Sequence, residues 1–208
     1  MAFASALDPT LELAGRHVRI VPLRAEHADA LRGASADGEL WRLIYTSAPG
    51  PTPGEAEAYI AAALAQRDAG TALPFAVLDA DGTVVGSTRY YDIDAAVPKL
   101  KIGYTWYAAR MQRTALNTEA KRLLLDHAFG ALGCASVFFE TSHLNLRSQA
   151  AIARLGAQRD GVLRGHMRHR DGTLRDTMVY SILSAEWPAL RARLSERLHA
   201  DEGAPSDV

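Results

Sequence analysis

The chain has 208 residues, a formal net charge of -1 and 48% hydrophobic residues. That length and apolar content predict one domain around one core, and the near-balance of charge excludes a global field able to hold nucleic acid or an anionic membrane. Cys134 is the only cysteine, which excludes an intramolecular disulfide framework and fits a reducing compartment.

Met1–Leu13 carries Asp8 and Glu12 and lacks the basic start and apolar run of a signal peptide. No stretch reaches the apolar length of a membrane span, so the expectation is a cytoplasmic protein without membrane partners. Residues 1–12 read as an N-terminal extension, 13–200 as the domain and 201–208 as a disordered acidic tail.

Arg16–Leu23 alternates apolar and polar residues as a half-buried strand does, and Arg24–Ala34 places Leu and Ala at helical spacing. Thr46–Gly54 (TSAPGPTPG) is a loop, followed by an alanine-rich helix over Glu55–Arg67. Pro74–Asp79, Val84–Tyr91 and Lys99–Tyr107 read as an antiparallel meander, with Asp81-Gly82 as a hairpin turn. Asn117–Leu132 is a helix with Asn117 or Thr118 as its cap and Gly133 as its stop. A strand over Ala135–Thr141, a helix over Asn145–Leu155, strands at Gly161–Arg168 and Leu174–Leu183, and a helix over Glu186–His199 complete the chain.

The aromatic strand Ile102–Tyr107 runs through Ala108–Leu116 into the long helix. First-turn amides and the helix dipole favour an anion there, so a diphosphate is expected at Arg113, Thr114, Ala115, Leu116, Asn117 and Thr118, with Arg110 and Arg113 adding charge. The competing reading is an ordinary solvated loop.

GRHVRIVPL, IGYTWY, NTEAK, HAF, NLRSQAAIARLGA, DGVLR, DGTLRD and EW follow in an order that resembles the GNAT superfamily of acetyl-coenzyme A-dependent N-acetyltransferases. The likeness is to the branch holding the ribosomal-protein N-terminal acetyltransferases and runs from about Leu13 to Trp187. It implies an α+β fold, a mixed, mostly antiparallel twisted sheet of about seven strands flanked by helices. It also implies acetyl-coenzyme A as acyl donor, a primary amine on a protein N-terminus or small molecule as acceptor, and a homodimer.

The family's pyrophosphate loop usually reads Gln/Arg-x-x-Gly-x-Gly/Ala, which places Arg110, Arg113 and Ala115 at its three positions. Arginine stands where glycine is usual. Glycine admits positive φ and close approach, so an altered phosphate geometry is expected, with Arg113 either compensating by charge or weakening binding.

The resemblance carries the proton-donor role onto Ser148 and a cofactor contact onto Asn145, beside the local alternative that both serve a helix cap. It carries the base onto Asp160, which also reads as a solvated turn carboxylate. A further family position for an acid holds Lys101. Glu140 remains as a carboxylate able to relay a proton through water, or as an exposed strand-face residue. The amides of Trp106 and Tyr107 are expected at the acetyl carbonyl and pantetheine.

Trp41, Tyr45, Phe75, Arg89, Tyr90 and Tyr91 are acceptor-side candidates, with ordinary packing as the alternative. His166 and His169 read as hairpin surface, with no metal site expected. The arginine-rich Arg164–Arg175 hairpin lacks interleaved aromatics and is expected solvated, without nucleic acid. Two other readings of the whole chain remain: a non-catalytic acyl-coenzyme A binding module and a ribosome- or RNA-associated domain.

Overall fold

The computed structural model describes residues 8–203. Eight strands form one sheet: β1 (Leu13–Ala14), β2 (Val18–Pro22), β3 (Ala72–Asp79), β4 (Val84–Asp94), β5 (Lys99–Tyr107), β6 (Ser136–Ser142), β7 (Gln158–Arg168) and β8 (Leu174–Leu183). Their order is β1-β2-β3-β4-β5-β6-β8-β7, and among the described residues only β5 and β6 pair in parallel. The mostly antiparallel α+β expectation holds, with the short β1 added to the strands expected.

Five helices flank the sheet: α1 (Ala28–Ala36), α2 (Pro53–Asp68), α3 (Ala115–Asp126), α4 (Leu146–Leu155) and α5 (Trp187–Gly203). Leu31, Ala34, Ile60 and Ala63 of α1 and α2 pack with Ala76 and Trp106 on one face. Leu116, Leu124, Ile152, Leu155, Leu190 and Leu194 of α3, α4 and α5 cover the other with Phe75, Tyr90, Ile102 and Phe139. A parallel pair needs a long crossover, and α3 supplies it between β5 and β6.

The ends of α3 and α5 differ from expectation. Thr114 caps α3, its Oγ1 accepting the Leu116 N–H, so the helix starts two residues before Asn117. After Asp126 it loosens into a π-turn over His127–Ala131. The last helix continues through Asp201–Gly203, residues placed in the expected tail; 204–208 of that tail and 1–7 of the expected extension lie outside the described residues.

Among the described residues, no helix is long and apolar enough to cross a membrane.

Candidate active site at the opening between strands

β5 and β6 pair only at Lys99–Ser136, Leu100–Val137 and Lys101–Phe138, then part, although β5 continues to Tyr107 and β6 to Ser142. The cause lies in β5. Between Ser87–Trp106 and Arg89–Gly103 it carries one more residue than β4, a bulge at Tyr104 and Thr105. Tyr104 sits at φ 51, in the left-handed region. A bulge bends its strand, and a non-glycine residue held there costs about 1–2 kcal/mol. Packing opposes that cost: the Arg89 guanidinium lies 4.0 Å over the Tyr104 ring, and Tyr91 meets it edge-on at 5.0 Å.

Beyond Lys101 the facing backbone edges of β5 and β6 have no strand partner, so a slot lined by amides and carbonyls opens toward the start of α3. Arg113, immediately before the Thr114 cap, has φ 66. The arginine therefore adopts the backbone conformation that glycine would supply, and the turn carries a side chain. That side chain is exposed and has no ion-pair partner among the described residues. Ala115, Asn117 and Thr118 are partly exposed on the first turn, whereas Leu116 is buried in the core.

Arg110 is engaged elsewhere. Its Nη1 lies 3.0 Å from Asp37 Oδ2, tying the loop to the end of α1. A cleft of about 360 Å³ borders the same loop against His17 and Asp79–Asp81. Its two aspartates make that flank unsuited to a diphosphate.

Gln112, unnoticed in the sequence, spans the other flank. It donates to the Tyr107 carbonyl at 3.2 Å and accepts from Arg147 Nη1 of α4 at 3.4 Å. Arg147 and Arg113 therefore flank the start of α3, a pairing visible only once α4 is placed.

Asn145 caps α4, its Oδ1 accepting the Ser148 N–H at 3.0 Å. The Ser148 hydroxyl makes no protein hydrogen bond among the described residues, so the cap engages the serine backbone and leaves its Oγ free.

Trp106 and Tyr107 are buried on opposite faces, Trp106 donating from Nε1 to the Tyr59 hydroxyl at 3.3 Å. Within the bulge, Thr105 Oγ1 accepts from Lys121 Nζ of α3 at 2.8 Å. Lys121 is 6% exposed, and burial pushes its ammonium down to about 7.

Glu140 faces the side carrying Arg89, Tyr91 and Tyr104. Its side chain is 11% exposed, and Lys101 Nζ reaches Glu140 Oε1 and Asp92 Oδ2 at 2.7 Å each. The exposed reading of Glu140 is thereby corrected. Burial works against the Lys101 ammonium, yet its hydrogen bonds to Asp92 and Glu140 outweigh that and hold it above the ordinary lysine value. Burial, and then the Glu140 charge, raises the Tyr91 phenol.

Asp160 is not brought to the opening. It lies on the edge strand β7, separated from β6 by β8, and accepts from Ser181 Oγ at 3.0 Å. Phe75 and Tyr90 also leave the acceptor list: they pack edge-on at 5.6 Å inside the core, and the Tyr90 hydroxyl donates to the Leu124 carbonyl. Cys134 is buried, and burial pushes its thiol up to about 12, so it packs as a small hydrophobe.

The β7–β8 hairpin is less solvated than its arginines suggested. Arg170 Nη1 donates to the carbonyls of Trp41 and Ala48, and its N–H to that of Ile44, fastening the tip to the loop that holds Trp41 and Tyr45. His169 is buried between Ser142 and Thr173, contrary to its surface reading, whereas His166 is exposed.

A family profile described as "Acetyltransferase (GNAT) domain" matches residues 17–158. This chain belongs to the GNAT acetyltransferase family. It is an acyltransferase, and its fold is shared with solved relatives. A GCN5-related N-acetyltransferase from Brucella melitensis is 32% identical with a TM-score of 0.83, over 95% of this chain and 89% of that one. A GNAT-family protein from Chromobacterium violaceum ATCC 12472 is 30% identical at TM-score 0.77, covering 87% and 90%. Mycobacterium smegmatis RimJ, solved in complex with CoA-disulfide, shares the fold at 22% identity and TM-score 0.75, covering 90% and 93%. No curated protein matches the sequence.

Proposed function

We propose that this acyltransferase moves an acetyl group from acetyl-coenzyme A to a primary amine, on a protein N-terminus or a small molecule, by direct attack in a ternary complex. The observation carrying this reading is the opening of β5 from β6 at the Tyr104 bulge, with unladdered backbone leading to the α3 start. The α3 amides and the Arg113 and Arg147 guanidiniums suit a diphosphate. Asn145 and the amides of Trp106 and Tyr107 would line the acyl arm.

Glu140 takes the amine proton through a water while the new N–C bond forms. As the C–S bond breaks, the Ser148 hydroxyl gives its proton to the sulfur and is reprotonated from solvent, into which Glu140 releases the proton it took. Trp41, Tyr45, Arg89 and Tyr91 border the acceptor side. The binding-only reading rests on Arg113 in place of glycine and on Lys101 in place of an acid; Arg113 keeps the loop turn, and Glu140 offers a carboxylate beside Lys101. Of the hairpin arginines behind the RNA-associated reading, Arg170 is occupied within the chain. A cytoplasmic location belongs to this proposal on sequence grounds. A homodimer does too, supported by exposed Leu163, Met167 and Leu174 on the β7–β8 hairpin.

An acetyl-transfer screen over peptides and small amines, read by product mass and thiol release, tests the reading. Tight coenzyme A binding with no acetylated product from any amine would overturn it.

A further inference from the structure

Resting on the acetyl-transfer reading, we infer that the acceptor amine also carries an oxyanion, a carboxylate or phosphate, held by the Arg175 guanidinium on the face bearing Glu140, with Arg89 strengthening the field.

Met178, Tyr180 and Ile182 of β8 point into the core under α4 and α5, so alternation turns Arg175 and Thr177 to the opposite face. Arg175 interacts electrostatically there with Tyr91, Glu140 and Tyr104, the groups at the β5–β6 opening. Its Nε is buried without a partner, and its side chain forms no ion pair or hydrogen bond among the described residues. The side chain is half-buried, and that burial lowers its pKa against the pull of Tyr91, Glu140 and Tyr104.

Arg89 repeats the pattern. It is 3% exposed, bonds through Nη1 to Gln66 Oε1 at 2.9 Å, and leaves Nε buried and unpartnered. Among the described residues, no carboxylate is bonded to either guanidinium. Glu140 is held by Lys101, which also takes Asp92.

A buried charge lacking a counter-ion is costly, and a guanidinium fork matches carboxylate and phosphate geometry. Glu140 and Asp92 are taken by Lys101, so the anion that bonds these guanidiniums is supplied by the substrate. Its amine would lie toward Glu140.

The test is a matched set of amines: phenylalanine against phenylalaninamide, and phosphoethanolamine against ethanolamine. Each is measured for kcat/KM and, separately, for binding to the coenzyme A complex by calorimetry. Wild type should prefer one anion over its neutral partner by about tenfold or more, and Arg175→Gln should bring that ratio close to one. Arg175→Lys, keeping the charge without the fork, should lie between them. A thermal melt of each variant confirms folding. The carboxylate and phosphate pairs distinguish the two sources. Neutral amines favoured equally, or a preference that survives Arg175→Gln, would overturn the inference while leaving acetyl transfer intact. Anion-dependent binding without product would support the anion site and overturn acetyl transfer instead.

Discussion

Lys101 on β5 and Glu140 on β6 meet at 2.7 Å beside the last paired rung of the two strands, so the cation fixes a carboxylate where the sheet opens. Glu140→Gln keeps the shape but removes the proton acceptor. It should lower kcat by about a hundredfold or more in steady-state assays on a good amine. Lys101→Met strands a largely buried carboxylate and should cost about 1–3 kcal/mol in denaturant melts. Retention of wild-type kcat by Glu140→Gln would remove it from the mechanism.

Arg113 holds a positive φ without glycine, so its backbone and charge can be separated by mutation. Arg113→Gly should relieve strain and raise stability by about 1 kcal/mol, roughly 2–4 °C in melting temperature. The same change should weaken coenzyme A binding and reduce its salt dependence, because the guanidinium is lost. Tighter cofactor binding would mean that the side chain obstructs the loop.

At α4, the cap and the proposed chemistry fall on different atoms. Asn145→Ala should cost about 1 kcal/mol of stability, since its side chain satisfies the Ser148 N–H. Ser148→Ala leaves that bond in place and should reduce kcat more than coenzyme A affinity, with stability little changed. Equal losses from the two variants in melting temperature and turnover would assign Ser148 to the cap alone.

Period and punctuation made most elements legible. Val18–Pro22 alternates, Asp81-Gly82 turns, and Gly156 at φ 95 ends α4 as glycine stops do. The α3 start was misplaced because Thr114 is as good a cap as Asn117, and only the fold chooses between them. The site was legible by motif order and hidden in detail. Nothing local marks Tyr104 as a bulge, because its cost is met by Arg89 and Tyr91 from a neighbouring strand. Asp37 as the partner of Arg110 and the burial of Glu140 likewise depend on contacts distant in sequence.

Lys121 supplies the pH test. Its ammonium titrates near 7 when folded and 10.5 as an ordinary lysine, and burial is the cause. Between those values the unfolded chain holds a proton that the folded chain has released, so this residue makes stability rise with pH across that window. Its penalty is greatest at and below pH 7 and fades as pH approaches 10.5. Lys121→Met removes the titrating group while filling similar space, and Thr105 Oγ1 retains Thr88 Oγ1 at 2.8 Å as a partner. The variant should gain stability at neutral pH and show a flatter profile in urea melts at about pH 6, 8 and 9.5. A wild-type slope across that range would show that Lys121 stays charged in the folded protein.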